Sequence, residues 1–254
     1  MRKTIDINCD MGEAFGQWVV SNVDDKDILP YISSANVATG FHAGDPNHMN
    51  RLVQLAKENN VQVGAHPGYK DLQGFGRRKI NASVDELIND MLYQIGALKE
   101  FCNLYNISLN HIKPHGALYM EMAVNKGLAT KFMETLQKTN TKIPIFCMGN
   151  TETYFAAKKI GQPVVREFYA DRDYGDNGSI VFTRHVDKLD AKKVLDKVLR
   201  AALENKVQTV TGNVIDIEFE SICFHSDTPG SLELASVLNS GLKENNITIG
   251  AHNN

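Results

Sequence analysis

The sequence predicts an α/β fold, a TIM-like (β/α) barrel that is seven-stranded and distorted, and three observations carry that reading. Short apolar runs alternate with segments of helical period, as βα units on a parallel sheet do. Six of those runs end in clusters of ionisable residues. Parallel strands share one exit face, where a βα barrel builds its active site. The chain has 254 residues, close to the ~250 of one closed barrel. One domain spanning 1–254 is the economical expectation, because no linker or internal repeat interrupts the pattern.

The elements follow in order. Residues 4–9 form an apolar run ending at Asp10 and Glu13, and Asp6, Asn8 and Asp10 alternate there, so they share a face. A run at 33–38 leads to Gly40-Phe-His42-Ala-Gly-Asp45. A helix then starts with Pro46 in its first turn and repeats Met49, Leu52, Val53 and Ala56 on one side. The run 61–65 ends at His66. Ser83 with Glu86 three residues on makes a capping box for a helix whose apolar face is Leu87, Met91, Ile95, Leu98, Cys102 and Tyr105.

His111-Ile112 is a short strand ending at Lys113 and His115. The run 143–148 exits at Gly149-Asn150 without an ionisable group, and 163–165 exits at Arg166, Asp171 and Arg172. A helix begins at Asp190 with Val194, Leu195, Val198, Leu199 and Leu203 on one face. Runs at 207–211 and 214–219 flank Gly212-Asn213 as a hairpin decorating the barrel. The run 222–224 ends at His225 and Asp227, and a last helix covers 232–242, capped by Asp227 or Thr228.

Composition removes several function classes. Net charge is −3 and hydrophobic residues make up 43%, so a globular domain without a basic face is expected and nucleic acid is a poor partner. The one basic knot, Arg77-Arg78-Lys79, reads as a solvated loop. No apolar stretch approaches the ~20 residues of a membrane span, and no apolar leader opens the chain, so no membrane contact and a cytoplasmic location are expected. The four cysteines are scattered and read as reduced thiols. Neither a P-loop nor a G-x-G-x-x-G turn occurs.

The candidate catalytic residues are Asp10, Glu13, His42, His66, Lys113 and His115. Carboxylates and imidazoles suit proton transfer, and a lysine beside a histidine suits an anion or a developing oxyanion. A core carboxylate would be the alternative partner for Lys113. Candidate substrate-binding residues are Asn8, Asp45, Arg166, Asp171, Arg172, His225 and Asp227, with arginine forks suited to carboxylate or phosphate. Asp45 serves equally well as a helix cap. A divalent metal, if bound, would take Asp10, His42 and His66.

Asp6-Ile-Asn-Cys-Asp-Met-Gly-Glu13, Gly40-Phe-His-Ala-Gly-Asp-Pro46, Gly64-Ala-His-Pro67, Asp71-Leu-Gln-Gly-Phe-Gly-Arg-Arg78, Lys113-Pro-His-Gly-Ala-Leu-Tyr119, Phe168-Tyr-Ala-Asp-Arg172 and Ile222-Cys-Phe-His-Ser-Asp-Thr-Pro-Gly230 together resemble the LamB/YcsF family. That family comprises the A subunits of the prokaryotic ATP-dependent 5-oxoprolinase. The motifs run the whole length. Thr39 replaces the usual Cys before Gly-Phe-His, and Ser226 replaces the Gly after the last His. The resemblance implies a barrel similar to the glycoside hydrolase/deacetylase barrel. It implies a hydrolase that opens the 5-oxoproline (pyroglutamate) lactam to L-glutamate, with ATP as co-substrate of a complex with subunits B and C. The alternatives are a stand-alone metal-dependent amidohydrolase or deacetylase, and a non-catalytic substrate-binding subunit.

Overall fold

The computed structural model describes residues 4–183 and 187–252. Its strands are β1 (Thr4–Met11), β2 (Ser34–Ala38), β3 (Gln62–His66), β4 (His111–Ile112), β5 (Ile145–Cys147), β6 (Val164–Tyr169), β7 (Lys206–Gln208), β8 (Val214–Asp216), β9 (Ser221–His225) and β10 (Thr248–Ile249). Seven of them, β1 to β6 and β9, pair in parallel in that order, and β9 returns to β1. Ser221 sits at the seam: it is in register with Glu167 on one side and Asp6 on the other. The expected seven-stranded barrel is therefore the observed one. β10 was not foreseen; it adds to β1 outside the ring, at Thr4 and Ile5.

Eight helices surround these strands among the described residues: α1 (Asp25–Ile28), α2 (Pro46–Glu58), α3 (Val84–Leu104), α4 (Gly116–Val124), α5 (Lys126–Lys138), α6 (Glu152–Ile160), α7 (Ala191–Glu204) and α8 (Ser231–Glu244). The four helices expected from sequence are α2, α3, α7 and α8. α4 carries little signal because its N-cap, His115, makes no capping bond. α5 and α6 do have capping side chains, Asn125 and Thr151, that were readable. The cap of α8 is Gly230 at φ 82°, not Asp227 or Thr228. β7 and β8 form the decorating hairpin, shorter than its apolar runs because only 206–208 and 214–216 pair.

Alternation decides what the barrel holds. Ile5, Ile7, Cys9 and Met11 are buried on the outer face of β1, under the helices. Asp6, Asn8 and Asp10 point inward and are also buried. The interior is thus filled by hydrogen-bonded polar side chains, where such barrels usually stack branched apolar ones. All four cysteines are buried free thiols. Among the described residues, no helix is long and apolar enough to cross a membrane.

The α3 start is the clearest local test of how sequence sets structure. Ser83 Oγ accepts from the Glu86 amide at 3.3 Å, and Glu86 Oε2 accepts from the Ser83 amide at 2.8 Å. Ser83→Ala should cost about 1 kcal/mol. Thermal melting should fall by about 2–4 °C in a chain of this size, and Ser83→Asp should recover most of it.

Candidate active site

The interior network begins at the base of the barrel. Asp6 Oδ1 accepts from Ser33 and Ser34 at 2.6 and 2.7 Å, and Oδ2 accepts from Ser221. Burial raises the Asp6 carboxyl above its usual range, against the pull of those hydroxyls. One layer up, Asn8 Nδ2 donates to Ser221 Oγ (2.7 Å) and Glu167 Oε1 (3.1 Å), and its Oδ1 accepts from Asn36 (2.7 Å). His111 Nε2 donates to Asn36 Oδ1 at 2.6 Å, and Gly64 makes room for this ring, since a Cβ there would lie 2.1 Å from it.

Lys113 occupies the centre and is 1% exposed. Its ammonium donates to Asp10 Oδ1 (2.9 Å), Asn8 Oδ1 (3.2 Å) and Cys223 Sγ (2.9 Å), and lies 3.2 Å from Glu167 Oε1. Burial acts to lower the Lys113 pKa, yet Asp10, Cys223 and Glu167 outweigh it and hold the amine well above its ordinary value. Tyr119 donates to Glu167 Oε2 at 3.0 Å and the Lys113 ammonium lies 5.2 Å from the Tyr169 ring centroid. Lys113 pairs with core carboxylates, as one reading of the sequence has it, and it also lines the cleft above them.

Asp10 joins this network to the cleft. Its Oδ1 also accepts from Asn36 at 2.7 Å, and its Oδ2 lies 3.2 Å from His66 Nε2 and 3.4 Å from His225 Nε2. Burial would raise its pKa, but His66, Lys113 and His225 hold it well below the usual carboxylate range. Across the cleft, His225 Nδ1 faces the Asp171 carboxylate at 3.0 and 3.1 Å. Asp171 also accepts from the His225 amide and Thr228, and Arg172 Nη1 lies 3.0 Å from it. This is a carboxylate–imidazole dyad with its outer nitrogen turned to the cleft. Ser226 bonds the Asp10 carbonyl at 2.8 Å, a brace for the strand end.

The opposite wall is Glu13, His42, His66 and His115, whose donor atoms all lie within 4.8 Å of one another, close enough for one ion. This set differs from the expected Asp10, His42 and His66: Glu13 and His115 enter, and Asp10 Oδ1 is committed to Lys113 and Asn36. Burial, then the charges of Asp10 and Asp227, push the Glu13 carboxyl well above its ordinary value. Thr39 holds this wall from behind, bonding the His66 carbonyl and Gln94.

Some candidates lie elsewhere. Arg166 sits on the outer face of β6, since alternation sends Glu167 inward, and pairs with Glu218 and Glu220. Asp45 caps α2, accepting from the Asn47 and His48 amides at 2.8 and 3.1 Å. Asn8 is buried below the cleft. Asp227 reaches the rim, where it pairs with Arg77 at 2.7 Å. Arg77 is therefore a cleft residue and not the solvated loop expected; its side chain is 10% exposed. Sequence reasoning also missed Glu167 and Tyr119. Glu167 had a signal: two residues before Tyr169 on the same strand, it shares the inward face. The cleft between the walls is lined by Asp10, His66, Arg77, Lys113, His115, Tyr169, Arg172 and His225.

Burial pushes His111 down to about 3. The unfolded chain protonates this residue near its ordinary value of ~6.5 while the native state does not. His111 thus contributes full stability above pH ~6.5 and loses it as pH falls toward ~3, at up to ~1.4 kcal/mol per pH unit. Urea unfolding between pH 6 and 4.5 should show a shallower pH dependence in His111→Gln than in wild type.

Comparisons with known proteins converge on one group. The profile of the LamB/YcsF family matches residues 5–254. A Pseudomonas aeruginosa protein named as an A subunit of 5-oxoprolinase is 55% identical, covering 97% of this chain and 98% of its own. The 5-oxoprolinase A subunit of Natranaerobius thermophilus is 39% identical over 97% of this chain and 96% of its own. The crystal structure of lactam utilization protein from Thermus thermophilus superposes at TM-score 0.90, 33% identical, covering 99% of this chain and 100% of that one.

Proposed function

The chain belongs to the LamB/YcsF family, and on that premise we propose that it is the A subunit of a 5-oxoprolinase. It opens the lactam of 5-oxo-L-proline to L-glutamate, as a hydrolase of a cyclic amide C–N bond. The observation that carries this reading is the 55% identity, over nearly the whole chain, to a protein named for that activity. The name of the Thermus relative supports a lactam as substrate class. Residues 1–254 act as one barrel domain in the cytoplasm in this reading.

ATP belongs to the complex. A lactam is an unreactive amide, and phosphorylating its carbonyl oxygen makes the carbon electrophilic. This sequence has no P-loop, so partner subunits B and C carry the phosphorylation. The word "subunit" in the relatives' names supports a multi-chain enzyme.

The cleft then has a division of labour. Water adds to the phosphorylated lactam carbon and gives its proton to Asp10, whose Oδ2 faces the cleft. The C–N bond breaks, and His225, oriented by Asp171 at 3.0 Å, supplies the proton the ring nitrogen takes up. The γ-acyl phosphate left on the carbon is hydrolysed by a second water to L-glutamate and phosphate. Lys113 holds Asp10 in place, and Arg172 and Arg77 present guanidinium groups to the substrate carboxylate or a phosphate. The test is release of glutamate from 5-oxoproline. The chain with B and C and ATP should turn over; the chain alone should not. His225→Ala should cost the complex ~10²–10³ in kcat with the fold retained. ATP-independent release by the single chain would favour the amidohydrolase reading. Full activity of Asp10→Asn in the complex would favour a non-catalytic role.

A further inference from the structure

Two of the four side chains on the Glu13 wall have their tautomers fixed from outside. His66 Nδ1 lies 2.7 Å from the Lys113 carbonyl, and His115 Nε2 lies 2.8 Å from the Phe75 carbonyl. A carbonyl only accepts, so each of those nitrogens carries the hydrogen. The inner nitrogens, His66 Nε2 and His115 Nδ1, are left with lone pairs, and they face each other at 2.9 Å. Glu13 Oε1 is 3.4 Å from His115 Nδ1 and 3.3 Å from His42 Nε2, and Asp10 Oδ2 is 3.2 Å from His66 Nε2. Glu13 Oε2 is buried without a hydrogen-bond partner. The lone pairs of His66 Nε2 and His115 Nδ1 thus point at each other beside the Glu13 carboxyl, and without a cation or a shared proton they repel.

We infer that Glu13, His42, His66 and His115 form a binding site for one divalent transition-metal ion of the zinc, cobalt or nickel class. Tetrahedral bonds of ~2.0–2.1 Å leave ligand atoms ~3.3 Å apart; three of the separations here are 2.9, 3.3 and 3.4 Å, and all lie within 4.8 Å, so a small inward movement of the side chains would close the shell. Three imidazoles and one carboxylate select borderline ions over magnesium or calcium, which take oxygen shells. The backbone carbonyls behind His66 and His115 are the outer contacts that metal-binding histidines use to fix ring orientation. Two glycines let the rings come together: a Cβ on Gly76 would lie 2.7 Å from both His42 and His115, and one on Gly68 would lie 2.5 Å from His42. Asp10 is outside the set but beside it, so an ion here would stand against the group assigned to water.

The inference does not depend on the lactam as substrate, and its test uses none. Metal-free protein is titrated with cobalt(II) and then zinc(II). One cobalt per chain should bind, with a visible ligand-field spectrum of a four-coordinate site, a raised melting temperature, and displacement by zinc. His42→Gln, His115→Gln and Glu13→Gln, each with wild-type circular dichroism, should weaken binding by about 10²-fold or more, above the 10–100-fold typical of outer-contact changes. X-ray absorption of the zinc-loaded wild-type chain, which needs no variant, should show imidazole scatterers at ~2.0 Å. An oxygen-only shell, no uptake of either ion, or unchanged uptake in all three variants would overturn the site, with a proton shared between His66 and His115 left to explain the contact.

Discussion

A lysine ammonium buried at the axis of a barrel has to be neutralised, and the rest of this structure is arranged around doing so. Removing Lys113 from water costs several kcal/mol unless charge and hydrogen bonds replace the lost hydration. Asp10 and Glu167 supply the charge, and Asn8 and Cys223 supply further acceptors. Those partners need partners in turn. Glu167 takes Tyr119 and Asn8; Asn8 and Asp10 take Asn36; Asn36 takes His111. A strand that offered an apolar side chain at any of these inward positions would leave a buried polar group unpaired. The polar interior is thus one connected solution, not a set of separate contacts.

The same pair links fold to function. Asp10 stays ionised with the Lys113 ammonium at 2.9 Å from its Oδ1, so one oxygen is spent on structure and the other faces the cleft. Two histidine systems meet at that second oxygen. His225 is braced by Asp171 from β6's exit, and His66 belongs to the group with Glu13, His42 and His115. A lactam carbonyl held between them would have an acceptor for water's proton on one side and a donor for the nitrogen on the other. The depth of the network explains why the strand ends can hold such closely spaced charges: each is tied to a residue one layer below.

Much of this was legible in the sequence, and the limits are physical. The alternation of Asp6, Asn8 and Asp10 announced a polar inward face, and the exits carrying His42, His66, His115 and His225 do meet. Glu167 was hidden because the apolar run that marks β6 is only its first half; the strand continues to Tyr169. Arg166 looked like an exit residue for the same reason, and the parity of the strand turns it outward to Glu218 and Glu220. Arg77, Arg78 and Lys79 read as one basic knot but have three fates: a cleft pair with Asp227, a clamp on Asp71 and a surface pair with Glu121. Asp45 was ambiguous between cap and ligand, and backbone amides show it in the capping role. The tautomers of His66 and His115 had no sequence signal at all, since backbone carbonyls set them.

The dependence of the barrel interior on one ion pair is open to a direct measurement, a double-mutant cycle on unfolding free energy with Lys113→Met, Asp10→Asn and the two combined. Each single change strands a buried polar group, so each should cost about 3–5 kcal/mol. The double variant removes both charges together and should lose at least ~2 kcal/mol less than the sum. Additivity within ~0.5 kcal/mol would mean the two groups do not depend on each other, and the account of the interior as a single connected network would fail.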